Sequence, residues 1–274
     1  MTSDRIVVEE LEKKDQVVSI GRNYIPTMEK ELRRAIFEVF KDPAGAPGDD
    51  ISDYELLAEA VFWSLGELIN NANKANNRWA LLRNALFQRA SKEAPNEPHD
   101  KLNSDIDYAI QHNQTDFLKK YNMASIDLTG SILKLIEMHK TNSFALSEKF
   151  DKRIDVTLRI RKKGGTGVLT LNVINNSPIT IVDKNRVEYN LEKIKEDLIN
   201  AGKNPLEAAA RLYDKPEDHA GGGFGAGLRS IVLFLKEGYA PFGDETGITF
   251  SRLIQYRSAG DSTIFTIELP VPNR

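Results

Sequence analysis

Apolar and polar positions along the chain alternate with two periods. Residues 1–25 carry short apolar alternations, "RIVVEEL" and "QVVSIGR", that predict edge strands. "PTMEKELRRAIFEVFKD", 26–42, predicts a helix, with Pro26 suited to its first turn and "DPAGAPGDD" ending it. That Pro/Gly/Asp stretch marks a boundary near residue 50. The next helix opens on Ser52 and Glu55, an S-x-x-E capping box. Leu57, Val61, Leu65, Leu68, Ala72 and Ala75 then recur at helical spacing as a buried stripe, and the helix is expected to run to about residue 90. "SKEAPNEPHDKLNSD", 91–105, predicts a polar loop, followed by helices at roughly 105–121 and 125–147.

The period then changes from helix to strand. "IDVTLRI" (154–160) and "VLTLNVI" (168–174) each place alternate residues on one apolar face, and "RKKGGTG" turns between them. "NLEKIKEDLINAGKNPLEAAARLYDK", 190–215, predicts a helix broken at Gly202 to Pro205. "AGGGFGAGL" predicts a glycine loop opening the apolar helix "RSIVLFLKEG", which ends at Gly238. "GITFSRLIQYRS" and "STIFTIELPVP" close the chain as a second strand pair. Strands joined by short turns imply an α+β chain: a two-layer sandwich of a mixed, mainly antiparallel sheet with helices on one face. The expected organisation is an N-terminal segment at 1–50 and one domain at 51–274, with a helical insertion at about 81–150.

Composition narrows the function classes. The chain of 274 residues is ordinary in its 41% hydrophobic and 28% charged content. A net charge of −3 gives no global attraction to nucleic acid or anionic membranes. With no cysteine, disulfides, thiolate catalysis and Cys-ligated metal centres are excluded. The charged N-terminus has no apolar signal core, and no apolar run approaches the ~20 residues that span a bilayer, so a cytoplasmic protein is expected.

Three stretches carry candidate chemistry. "ELINNANKA", 67–75, puts three asparagines in a helix interior, where Asn is a mediocre helix former. Glu67, Asn71, Lys74 and Arg78 share one polar stripe. Taken alone, this stripe reads first as a solvated helix face with a Glu67–Asn71 contact. "GGGFGAGL", 221–228, offers backbone N–H groups with little side chain in the way, just before a helix start, which suits an anion such as phosphate. Alone it is equally a flexible loop. It is neither a Walker loop, lacking Gly-Lys-Ser/Thr, nor a dinucleotide fingerprint, because the polar "LYDKPEDHA" precedes it where a strand is needed. "VINNSPIT", 173–180, ends a strand in a turn.

In this order the three resemble the GHKL ATPases, the superfamily of gyrase-type topoisomerases, ninety-kilodalton heat-shock chaperones, sensor histidine kinases and MutL proteins. Glu67, Asn71, Ala72, Lys74 and Ala75 match an N box of the form E-x-x-x-N-A-x-K-A. "NNSPIT" stands where the family has a box resembling D-N-G-P-G-I. Gly223, Gly225, Gly227 and Leu228 match a G-x-G-x-G-L box, after a variable ATP lid at about 183–222. The likeness covers roughly 51–80 and 150–270. It implies the GHKL ATP-binding fold, with ATP and Mg²⁺ as cofactors. Asn71 would ligate Mg²⁺ through its amide oxygen, a hard donor of the kind this ion takes. Lys74 would meet the phosphates, as would the backbone at Gly223, Gly225, Gly227 and Leu228. Glu67 would be the catalytic base, acting on water, a hydroxyl or an imidazole. Asn175 would face the adenine. Asn175 replaces an Asp, which would weaken adenine binding by about 1 kcal/mol, roughly five- to tenfold. Ser177 and Ile179 replace two glycines, so the turn must differ in shape and Ile179 would narrow the pocket.

The resemblance leaves three function classes: a histidine kinase-like signalling kinase acting on a partner protein in trans, an ATP-hydrolysing clamp, and a non-catalytic nucleotide-sensing scaffold. His99, His112, His139 and His219 all follow the N box, so none is placed as the usual phosphoacceptor. The stretch after residue 220 is too short for the clamps' transducer domain, which favours the kinase reading. The expected partners are a nucleotide and a protein substrate, with a homodimer as one arrangement and neither membrane nor nucleic acid.

Overall fold

The computed structural model describes residues 6–11, 15–20, 26–40, 52–112, 119, 149–163, 166–179, 181–200, 224–242 and 254–272. Their elements are β1 (Ile6–Leu11), β2 (Asp15–Ile20), α1 (Pro26–Val39), α2 (Asp53–Glu93), α3 (His99–His112), β3 (Ile154–Lys163), β4 (Thr166–Asn175), α4 (Ile181–Asn200), α5 (Phe224–Tyr239), a 3-10 turn (Ala240–Phe242), β5 (Gln255–Ala259) and β6 (Ser262–Val271). The strands form one sheet in the order β1-β2-β3-β4-β6-β5. The mixed sheet expected from sequence is not what is seen: every described pairing is antiparallel. The two-residue connections of β3–β4 and β5–β6 permit only a hairpin, and Gly260, at φ 56°, supplies the left-handed step in the second.

Alternation along the strands builds the core. Val156, Leu158, Leu169, Leu171, Val173, Phe265, Ile267 and Leu269 are buried. They join one cluster with Leu57, Val61, Leu65 and Leu68 of α2 and Ile231, Val232 and Leu235 of α5. Alternate positions are polar: the Asn172 amide donates to Thr157 Oγ1 at 3.0 Å and accepts from Thr266 Oγ1 at 2.8 Å, each across a register pair. The result is an α+β arrangement, an antiparallel sheet with helices packed on its apolar face.

Helix α2 starts at the expected capping box: the Glu55 N–H donates to Ser52 Oγ at 3.2 Å, and the Ser52 N–H to the Glu55 carboxylate at 3.2 Å. It runs 41 residues, about 60 Å. The loop predicted at 91–105 is far shorter. Pro95 forces Ala94 out of helical geometry, at φ −133° and ψ 69°, and the Pro98 carbonyl accepts the first bond of α3 from the Leu102 N–H. The polar look of "HDKLNSD" hides Leu102, which with Ile106 and Ile110 buries against Trp79, Leu82 and Leu86 of α2 in a second cluster. The helix predicted at 125–147, the break at Gly202 to Pro205 and His139 lie outside the described residues.

Helices α2 and α5 pack antiparallel on small residues. Gly227 lies against Asn71 and Glu67, Ser64 Oγ reaches the Ile231 carbonyl, and Gly238 lies against Ala60 and Leu57. Tyr239 then ties the end of α5 to the sheet, its hydroxyl donating to the Pro270 carbonyl at 2.6 Å. A Cβ on Gly238 would sit 2.5 Å from Ala60 Cβ and 3.3 Å from Leu57 Cα. Backbone there cannot step aside. Gly238→Ala is therefore expected to lower the urea midpoint, by about 1–3 kcal/mol of stability. An unchanged midpoint would contradict the close helix crossing.

Candidate functional site

The N-terminal end of α5 meets the middle of α2. The glycine cluster was expected to be a loop ahead of the helix, but α5 begins at Phe224, so Gly225, Gly227 and Leu228 are helical. The glycine at 227 has a different use. A Cβ there would lie 2.8 Å from Asn71 Nδ2, 3.1 Å from a Glu67 carboxylate oxygen and 3.4 Å from Asn71 Oδ1. Glycine allows the first turns of α5 to approach these two side chains directly. Leu228, 1% exposed, packs into the core rather than lining this contact. Gly223 lies outside the described residues, as does most of the predicted lid; its described part, 183–200, is helical in α4.

The four residues of the polar stripe do not share one environment. Asn71 is 4% exposed, Glu67 is half-buried and Lys74 is exposed one turn further on. Arg78 is half-buried. Asn71 Nδ2 has no hydrogen-bond partner among the described residues. A buried unsatisfied amide costs about 1–3 kcal/mol, and such a group calls for an explanation. It sits beside the positive end of a helix dipole and one carboxylate. Among the described residues no group of three or more His, Asp or Glu could hold a metal ion. The oxygen donor for an ion here is the Asn71 amide, with the Glu67 carboxylate beside it. That suits Mg²⁺, which keeps several waters and phosphate oxygens and needs few protein ligands.

A second polar group lies where β4 ends. Asn175, 5% exposed, accepts at Oδ1 from the Ser177 N–H at 2.6 Å. Ser177 Oγ donates to Asn76 Oδ1 at 2.6 Å, and Asn76 Nδ2 donates to the Arg153 carbonyl at 3.2 Å. Thr263 Oγ1 donates to the Ser177 carbonyl at 3.0 Å, and Thr263 is the register partner of Asn175. Asn176 faces the other way: its side chain accepts from the Arg153 N–H at 2.7 Å and donates to the Asp151 carbonyl at 2.8 Å. Ile179 packs partly buried against the core, without a left-handed backbone.

Sequence reasoning missed Asn76 and Thr263. Asn76 is four residues beyond Ala72, so it continues the buried stripe. A polar residue at a stripe position was the available signal. Thr263 carried none, because its placement depends on the β4–β6 register. Also missed was the cluster behind this turn. The Lys152 ammonium lies 3.7 Å from the Trp79 ring centroid and donates to the Asn176 carbonyl at 2.9 Å. Arg83 stacks on Trp79 and Phe150 while paired to Asp107 at 2.7 and 3.3 Å.

A scan against protein-family models found no match, and neither a search of curated proteins nor one of solved structures found any. The geometry therefore carries the functional argument.

Burial lowers the Lys152 pKa to about 8, against the opposing pull of Asp107 and Asp261. A lysine depressed on folding binds fewer protons in the folded state between its folded value and the ordinary 10.5. Stability is then expected to rise with pH across that window. Thermal melts of the native chain and Lys152→Met, run from pH 7 to 10.5, should diverge above pH 8, with only the native chain gaining. Parallel curves would contradict the assignment.

Proposed function

We propose that this chain is a Mg²⁺-nucleotide-binding protein of the GHKL type, a histidine kinase-like enzyme that phosphorylates a partner protein in trans. The observation that carries the reading is the seat of Gly227 on Asn71 and Glu67. Two motifs distant in sequence lie side by side, which supports this reading. An antiparallel sheet with helices on one face supports the GHKL fold as part of the same proposal.

Each role follows from placement. Asn71 would be the protein's Mg²⁺ ligand through Oδ1, while its orphaned Nδ2 lacks an acceptor, a place a phosphate oxygen would fill. The ion, when bound, would neutralise phosphate charge. The N-terminal end of α5 would meet the phosphates with backbone N–H groups and its positive dipole end. Lys74, exposed beside this point, would add a charge. Glu67, half-buried with one carboxylate oxygen toward Gly227, would take the proton from the attacking hydroxyl or imidazole. Asn175 and its turn would hold the base. No described helix is long and apolar enough to cross a membrane.

One observation favours a second reading, a non-catalytic nucleotide sensor: the Asn175 oxygen already serves its own turn. Incubation with γ-labelled nucleotide, Mg²⁺ and a cell lysate separates the two. Label is expected on a lysate protein only when this chain is present, and Glu67→Gln should cut the transfer by about 10²–10⁴-fold. Free phosphate in place of labelled protein would instead indicate a hydrolysing clamp, and no turnover at all a sensor. A Glu67→Gln variant as active as the native chain would contradict the catalytic role of Glu67.

A further inference from the structure

We infer that the base site selects a 6-oxo purine, as in guanine or hypoxanthine nucleotides, over a 6-amino purine; this rests on the nucleotide-site reading above. The two polar clusters lie along one helix. Asn76, which holds the turn of Asn175 and Ser177, follows Asn71 by five residues, about 7.5 Å of helix rise. Five residues also turn the helix by about 140°, so a nucleotide with its phosphates at Asn71 would cross α2 obliquely to bring its base toward that turn.

What the turn offers the base is fixed by the backbone. A hydrogen bond from the Ser177 N–H, 2.6 Å long, ends on Asn175 Oδ1. Only the oxygen of an amide accepts from an N–H, so the ends of this amide are not interchangeable. The other end of the same amide is an NH₂ donor. The Ser177 hydroxyl hydrogen is committed to Asn76 and that of Thr263 to the Ser177 carbonyl. Among the described side chains Asn175, Ser177 and Thr263, the Asn175 amide nitrogen is therefore the uncommitted donor. A purine O6 accepts from it, whereas a 6-amino group meets it hydrogen to hydrogen. An Asp at 175 would keep the acceptor for Ser177 N and present a second acceptor in place of the donor, which suits the amino purine.

Calorimetric titration of the full chain with the Mg²⁺ complexes of GTP, ITP and ATP tests this. GTP and ITP should bind tighter than ATP by roughly five- to tenfold. Asn175→Asp should reverse the order, with an unchanged melting curve as the check on folding. The native-chain series decides even if that variant fails to fold. ATP bound as well as or better than GTP overturns the inference and leaves the nucleotide site standing. GTP preferred with ITP behaving like ATP puts the selectivity on the 2-amino group and overturns it too. Binding of none of the three overturns the nucleotide reading itself.

Discussion

The contact between the first turns of α5 and the Asn71–Glu67 pair on α2 sets the rest of the arrangement. It is possible because residue 227 has no Cβ; any larger residue would push into Asn71 at 2.8 Å. The same helix is fixed at its far end, where Gly238 lies on Ala60 and Tyr239 bonds the Pro270 carbonyl. With both ends held, α5 has no freedom to slide along α2. Its partial positive charge is thereby aimed at a buried amide and a carboxylate.

Helix α2 links that contact to everything else. Its first half packs on the sheet and its second half on α3, so its middle lies where the two hydrophobic clusters meet. The polar residues of α2 fall at this junction. Asn71 faces α5, and Asn76 reaches the end of β4 through Ser177. Asn176 and Lys152 secure the outer side of the same turn against the segment entering β3. One rigid helix thus holds the Asn71 contact and the Asn175 turn at a fixed separation, the pre-organisation the proposed nucleotide site would require.

What was legible in the sequence was local. The capping box, the buried stripe from Leu57 to Ala72 and the two hairpins all follow from period and turn chemistry acting within a few residues. Asn71 stood out as one asparagine among three, and it is buried whereas Asn70 is exposed. What was not legible depended on partners far away in the chain. The glycines of "GGGFGAGL" suggest a loop when read locally, yet Gly227 is helical and serves helix packing. Asn76 was passed over because its partner, Ser177, is about a hundred residues on. The first half of α3 read as loop because the prolines at 95 and 98 and the polar residues after them concealed its start. Which edge of the sheet the N-terminal strands join, through β2 on β3, is likewise a tertiary fact.

The most direct test of the central claim is a Mg²⁺-dependent nucleotide titration of the native chain beside Asn71→Ala and Gly227→Ala. The account predicts saturable binding by the native chain that is lost with chelator. Both variants should stay folded and bind at least tenfold more weakly, the order of loss typical of a disturbed metal site. Native-like binding by both folded variants would contradict the account.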